Sequence, residues 1–135
     1  MFEKCIYFNS NAFVRGLNRV WDEAYKPSGL SAPHAYMLRL VCNEPGITQK
    51  EAGRQLQLEK STVTRFVSAL EAKGFVIRQA GENGREVCLK ATTVGKRLGK
   101  KLDAIGAELY KKMRKQLGAS QFENIVQLMK MGNSV

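Results

Sequence analysis

The sequence is short of acid, of cysteine, of histidine and of long apolar runs. Only 12 Asp and Glu stand against 22 Lys and Arg in 135 residues, a formal net charge of +10, and a polyanion partner is the plain inference. No apolar run approaches the roughly 20 residues that span a bilayer, and the N-terminus lacks the basic, apolar and small-residue order of a secretion signal. A cytoplasmic protein without a membrane partner is expected. Cys5, Cys42 and Cys88 are widely separated and odd in number, which argues against a disulfide framework and against a zinc site. The single histidine, His34, has no ligand-type neighbour at metal spacing and reads as a first-turn surface residue of a helix. No nucleophile, base and orienting group cluster, so neither an enzyme nor a cofactor is expected.

What the chain does contain is concentrated in residues 47–91. Thr48-Gln49-Lys50-Glu51 fits a capping box, which predicts a short helix from about Gln49 that carries Ala52 and Leu56 inward. Gln57 to Glu59 then forms a break before a second helix, Lys60 to Lys73. A helix-turn-helix is the expectation. At 100° per residue Val63, Phe66, Val67 and Leu70 fall on one arc of the second helix, the core face. The opposite arc holds Ser61, Thr64, Arg65, Ser68 and Ala72, with Thr62 on the flank. Small side chains let a helix enter a major groove, hydroxyls reach phosphates or base edges, and an Arg can take guanine O6 and N7 together. Arg65 is the first candidate for base reading. Glu and Lys form helix better than Ser and Thr do, so a hydroxyl-rich face points to function over simple solvation.

Gly74 reads as the stop of that helix, and the β-rich runs Phe75 to Gln79 and Glu86 to Lys90 flank a polar loop. This predicts a hairpin with Asn83-Gly84 at its tip, both residues taking a positive φ, and with Arg85 projecting from it. Lys60, Arg78, Arg85 and Lys90 are candidate phosphate contacts, joined by Asn83 at the tip and by Thr48 and Gln49 at a helix N-terminus. Between Lys60 and Lys101 ten basic residues face three acidic ones, so seven of the ten net positive charges lie in under a third of the chain.

The run Leu58-Glu59-Lys60-Ser61-Thr62-Val63-Thr64-Arg65, followed by Leu70-Glu71, Gly74-Phe75-Val76 and Arg78, resembles the MarR family of winged-helix transcriptional regulators. Thr92 and Gly95 to Leu98 continue the likeness, which covers nearly the whole chain. The chain departs from the family at the wing, where Asn83-Gly84-Arg85 replaces the usual Asp-Arg-Arg, and in the first motif helix, where Ala52-Gly53 replaces Leu-Ala. A glycine inside a helix costs about 1 kcal/mol against alanine.

Outside the motif, Phe13, Leu17, Val20, Trp21 and Ala24 are spaced as one helix from about Asn9 to Tyr25, ending at Lys26-Pro27-Ser28-Gly29. Ser31 can cap a second helix striped with Tyr36, Met37, Leu40 and Val41. Thr92 or Thr93 can cap a long helix to about Leu117, bearing Leu98, Leu102, Ile105, Leu109 and Met113. Gly118-Ala119-Ser120 precedes a last helix to Met131. The expected fold class is mainly α with a small β-hairpin wing (α+β): a single domain whose residues 30–91 form the DNA-binding lobe and whose residues 1–29 and 92–135 supply dimerisation helices. So long a helix exceeds what a compact winged domain needs, and its stripe wants another surface; the resembled family dimerises through these regions.

The resemblance further implies a homodimeric repressor on a pseudo-palindromic double-stranded DNA site, released by a small aromatic effector or by thiol oxidation. Trp21, Tyr25, Tyr36 and Met37 are the candidates for an effector pocket, and Cys5 for an oxidant sensor. Two other readings of the same residues are an architectural protein that binds nucleic acid without sequence preference, and a winged helix reused for protein contacts.

Overall fold

The computed structural model describes residues 1–133. Among them the elements run α1 (Ile6–Tyr25), α2 (Ala32–Asn43), α3 (Gln49–Leu56), α4 (Lys60–Ala72), β1 (Val76–Ala80), β2 (Val87–Ala91), α5 (Thr93–Leu117) and α6 (Ala119–Gly132), with a 3-10 turn at Lys26–Ser28. Contacts divide the chain into two compact units, Met1–Asp103 and Ala104–Val135. This is the winged helix-turn-helix expected.

The helix starts follow the capping residues. The Ser31 hydroxyl accepts the His34 amide at 3.4 Å, with Pro33 tolerated in the first turn of α2. Thr48 Oγ1 accepts the Glu51 amide at 3.0 Å. The expected capping box is only half made, because the Glu51 carboxylate turns to Arg54 Nη2 at 2.6 Å and to Gln55 at 3.2 Å. A guanidinium one turn on is a stronger partner than a neutral amide, and it draws the Glu51 carboxyl down to about 2, with Gln55 assisting.

The turn into α4 depends on Gln57, whose φ is 56°, and on a Leu58 amide bonded to the Gly53 carbonyl at 2.9 Å. A β-carbon on Gly53 would lie 3.1 Å from Val63 Cγ2 and 3.2 Å from the Leu58 carbonyl. Glycine there lets α3 and α4 approach closely, which offsets its poor helix propensity.

Apolar burial in the first unit draws on every element of the motif. Tyr25, Met37, Leu38, Val41, Ala52, Val63, Val67, Leu70, Val76, Leu89 and Leu102 are all essentially inaccessible. Phe66, expected on the same arc, is only half-buried, and its ring meets that of His34 at 4.3 Å. His34 is therefore a half-buried packing residue rather than a surface one.

Both strands begin one residue later than expected. They pair antiparallel from Val76 opposite Ala91 to Ala80 opposite Val87. Of the tip residues only Gly84 takes a positive φ, 69°. Asn83 does not; its side chain accepts the Arg85 amide at 3.1 Å, while the Gly84 amide reaches the Gly81 carbonyl at 2.9 Å. A six-residue loop closes by such local bonds and does not need the paired left-handed conformation of a two-residue turn. The free edge of β2 is covered by the chain before α3: Leu89 donates to Ile47 at 2.8 Å, Gly46 donates to Leu89 at 2.9 Å, and Thr48 bridges Cys88.

Thr92 begins α5. Its hydroxyl accepts the Gly95 amide at 3.0 Å and donates to the Gly74 carbonyl at 2.6 Å, so one side chain ties the stop of α4 to the start of α5. In the second unit Leu109 and Met113 are buried, Tyr110 meets Phe122 edge-on at 5.3 Å, and Arg114 pairs with Glu123 at 2.9 Å. Gly118, with φ of 87°, supplies the break before α6. The faces of α1 and α6 are the least covered: Tyr25 is the only buried residue of α1, and α6 has none.

Candidate nucleic-acid interface

The core arc of α4 fixes which residues are presented outward. With Val63, Val67 and Leu70 inside, Lys60, Ser61, Thr64, Arg65 and Ser68 are exposed and Thr62 is half-buried. Arg65 reaches back to Thr62 Oγ1 at 3.4 Å, a long bond that leaves most of its guanidinium to solvent. The Thr64 hydroxyl bonds to the Lys60 carbonyl at 3.0 Å, as helical Thr commonly does.

A cleft of about 800 Å³ opens beside the start of α4. Thr48, Gln49 and Lys50 of the α3 start, Leu58 to Lys60 of the turn into α4, and Arg85 to Val87 of the wing all line it. Four sequence candidates, Thr48, Gln49, Lys60 and Arg85, therefore share one concavity. Lys50, not singled out in the sequence as a contact, lines it too; its signal was its place in the first turn of α3, two residues after the cap.

Arg78 and two other candidates behave differently. Arg78 Nε donates to Gln49 Oε1 at 2.8 Å, Nη1 to Glu71 Oε1 at 3.0 Å, and Nη2 to both the Thr64 carbonyl at 3.0 Å and Ser68 Oγ at 2.9 Å. Gln49 and Ser68 are thus both acceptors of Arg78 within the protein. Lys90 is exposed on β2, opposite Ile77 in the hairpin register.

The remaining candidates lie elsewhere. Trp21 and Tyr36 line a cavity of about 500 Å³ with Leu17, Asn18, Asp22 and Pro33, and Trp21 Nε1 donates to the Tyr36 hydroxyl at 2.8 Å. Tyr25 and Met37 are fully buried and do not line it. Burial pushes the Tyr25 phenol up despite the Arg39 guanidinium, which donates to its oxygen at 3.1 Å. Arg39 is itself fixed by Asp103 at 2.8 Å. Cys5 is half-buried at the residue before α1. Cys42, not a candidate, packs against Gly99, and burial pushes its thiol up, away from the reactive thiolate.

Beside the interface, the His34 imidazole sits below its ordinary range, first through burial and then through the positive charges of Lys73 and Arg65. No helix among the described residues is long and apolar enough to cross a membrane.

Comparison with known proteins agrees with this geometry. A family profile described as MarR family matches residues 28–86. An uncharacterised HTH-type transcriptional regulator of Bacillus subtilis, YwoH, is 32% identical over 75% of this chain and 72% of its own length. An HTH-type transcriptional repressor of Mycobacterium tuberculosis is 29% identical over 61% of this chain and 60% of its own. The S. aureus MepR–DNA complex superposes with a TM-score of 0.84 at 20% identity, covering 96% of this chain and 98% of that one, which is a likeness of fold.

Proposed function

Because this chain belongs to the MarR family of transcriptional regulators, we propose that it is a homodimeric repressor that reads a pseudo-palindromic operator through α4 and the wing. That it is a DNA-binding regulator and not an enzyme follows from the family. The finer reading is carried by one observation: the exposed Ser61, Thr64 and Arg65 of α4 lie on the element whose N-terminal end, at Lys60, lines the same cleft as wing Arg85. A helix of small polar side chains beside a cationic hairpin can fill a major groove while the hairpin reaches the adjacent backbone.

In this reading Arg65 takes a base edge. Ser61, Thr62 and Thr64 reach base edges or phosphates, and Lys60, Arg85, Asn83, Lys90 and Thr48 hold the backbone. Phosphate contacts give affinity; the α4 contacts give the sequence. Residues 30–91 act as the reading lobe, and helices from 1–29 and 92–135 join two copies. Support for the second copy is exposed apolar surface: Ile6 is 84% exposed, Tyr7 77% and Leu128 64%. Two-fold symmetry sets two α4 helices about 34 Å apart, one turn of DNA. Occupancy of the operator by such a protein represses, and the mycobacterial relative is itself described as a repressor.

The cavity at Trp21 and Tyr36 suits a small aromatic effector, since an indole and a phenol line it beside Leu17 and Pro33, with the polar Asn18 and Asp22 at the same cavity. Release requires that the effector bind one arrangement of the dimer better than the other. The site of action is the cytoplasm. Selection from a random duplex pool at near-physiological salt tests the whole: an inverted repeat with half-sites one turn apart is expected, and binding with no enriched sequence rejects the operator reading.

A further inference from the structure

The outward side of α4 does not account for Arg78, whose guanidinium is consumed within the protein. Its three nitrogens make four hydrogen bonds of 2.8 to 3.0 Å, to Gln49 at the start of α3 and to Thr64, Ser68 and Glu71 of α4. The side chain is only 26% exposed. Thr64, Ser68 and Glu71 stand four and then three residues apart, one above another on a single flank of the helix.

That arrangement supplies what the apolar core lacks. Val63, Val67 and Leu70 hold α4 at a fixed depth, but burial has no direction and resists rotation about the helix axis weakly. A planar guanidinium with fixed N–H directions resists it strongly. Arg65 follows Thr64 by about 100° around the helix. At the reach of its side chain a roll of about 10° shifts the guanidinium by about 1 Å, enough to break paired hydrogen bonds to a base.

We infer that Arg78 is a positioning residue: it fixes the roll of α4 against β1 and α3, and so sets the base preference of the interface, without contacting phosphate. Gln49 and Ser68, read from the sequence as DNA contacts, are two of its anchors. The inference rests on α4 being the base-reading helix.

Arg78→Lys keeps the charge and loses the fork, whereas Arg78→Gln loses both. Each is compared with wild type and with Arg85→Gln on the best-enriched duplex from the random pool and on a mixed-sequence duplex, over a series of salt concentrations. Both Arg78 variants are expected to lose about tenfold or more of their preference for the enriched duplex. Their salt slopes on the mixed duplex stay at the wild-type value, while Arg85→Gln lowers the slope. A Lys variant with full preference overturns the inference, because charge then suffices. So does a Gln variant whose slope falls by about 1, the mark of a lost phosphate contact.

If wild type enriches no sequence, the operator reading fails and hydrogen exchange on the free proteins decides the inference. The α4 amides from Thr64 to Glu71 should then exchange faster in Arg78→Lys at matched global stability; equal exchange refutes the clamp. Should both Arg78 variants unfold, Ser68→Ala and Glu71→Ala each remove one arm. Graded loss of preference, or graded loss of α4 protection where no sequence is enriched, supports the inference, and no change in either variant overturns it.

Discussion

Gly95 of α5 lies so close to Phe75 that a β-carbon at position 95 would fall far inside van der Waals contact with the Phe75 carbonyl oxygen. The partner atom is backbone, anchored by the Thr92 amide at 3.0 Å, and cannot swing aside.

Gly95→Ala should therefore cost about 3 kcal/mol, at the upper end of overpacking, although alanine is the better helix former. Urea unfolding measures it. A loss under about 0.5 kcal/mol would mean that the contact relaxes freely.

Arg65→Ala should weaken binding to the selected duplex by about 1 to 3 kcal/mol and blur the preference at one base pair in each half-site. Binding to single-substitution duplexes reads both quantities. An unchanged preference removes Arg65 from base reading.

Arg85→Gln should act on all sequences alike and reduce the slope of log K against log salt by about 1. The tip carries only this one cation between Gly81 and Val87, so no neighbour on the loop compensates for it.

His34 is the sole histidine, so its ring protons can be followed by NMR without assignment by mutation. Burial, then Lys73, then Arg65 hold its folded value below the ordinary 6.5. Between those two values the unfolded chain binds the proton more readily. The stability that His34 contributes is thus present above about pH 6.5 and is lost as pH falls through the folded value. Lys73→Met should raise the NMR midpoint. A wild-type midpoint at or above 6.5 contradicts this account.

Ile6→Glu and Leu128→Glu should each shift sedimentation toward the monomer at micromolar concentration, because a charge is then buried in an apolar interface. Dimers of unchanged affinity in both variants would move the interface elsewhere.

Local chemistry made much of this fold legible in the sequence. Ser31 and Thr48 announced their helices, Gly74 and Gly118 their stops, and the 100° spacing of Val63, Val67 and Leu70 set the inner face of α4. What the sequence hid was choice among competing partners. Glu51 could serve the cap or Arg54, and geometry one turn away decided for Arg54. Asn83 could adopt a left-handed backbone or accept a hydrogen bond, and loop length decided. Arg78 is the clearest case: a cation at that position reads as a phosphate contact, while its acceptors lie seven to 29 residues away and become neighbours only after folding. Tyr25 and Met37 suited a pocket by type and were taken by the core.

The wing has a pinned base and a free tip. Its foot is stitched to residues 46–48 on one side and to α4 through Arg78 on the other, whereas residues 82–87 lie exposed and bond within the hairpin, to Gly81, to Ala80 and to each other. Heritable variation at these two places has unequal reach. Substitutions, insertions or new charges in the tip alter what the protein touches and leave the fold alone, so a lineage can drift toward new operators there. Change at the foot disturbs the core, the hairpin register and the reading helix together, and selection would hold it nearly still.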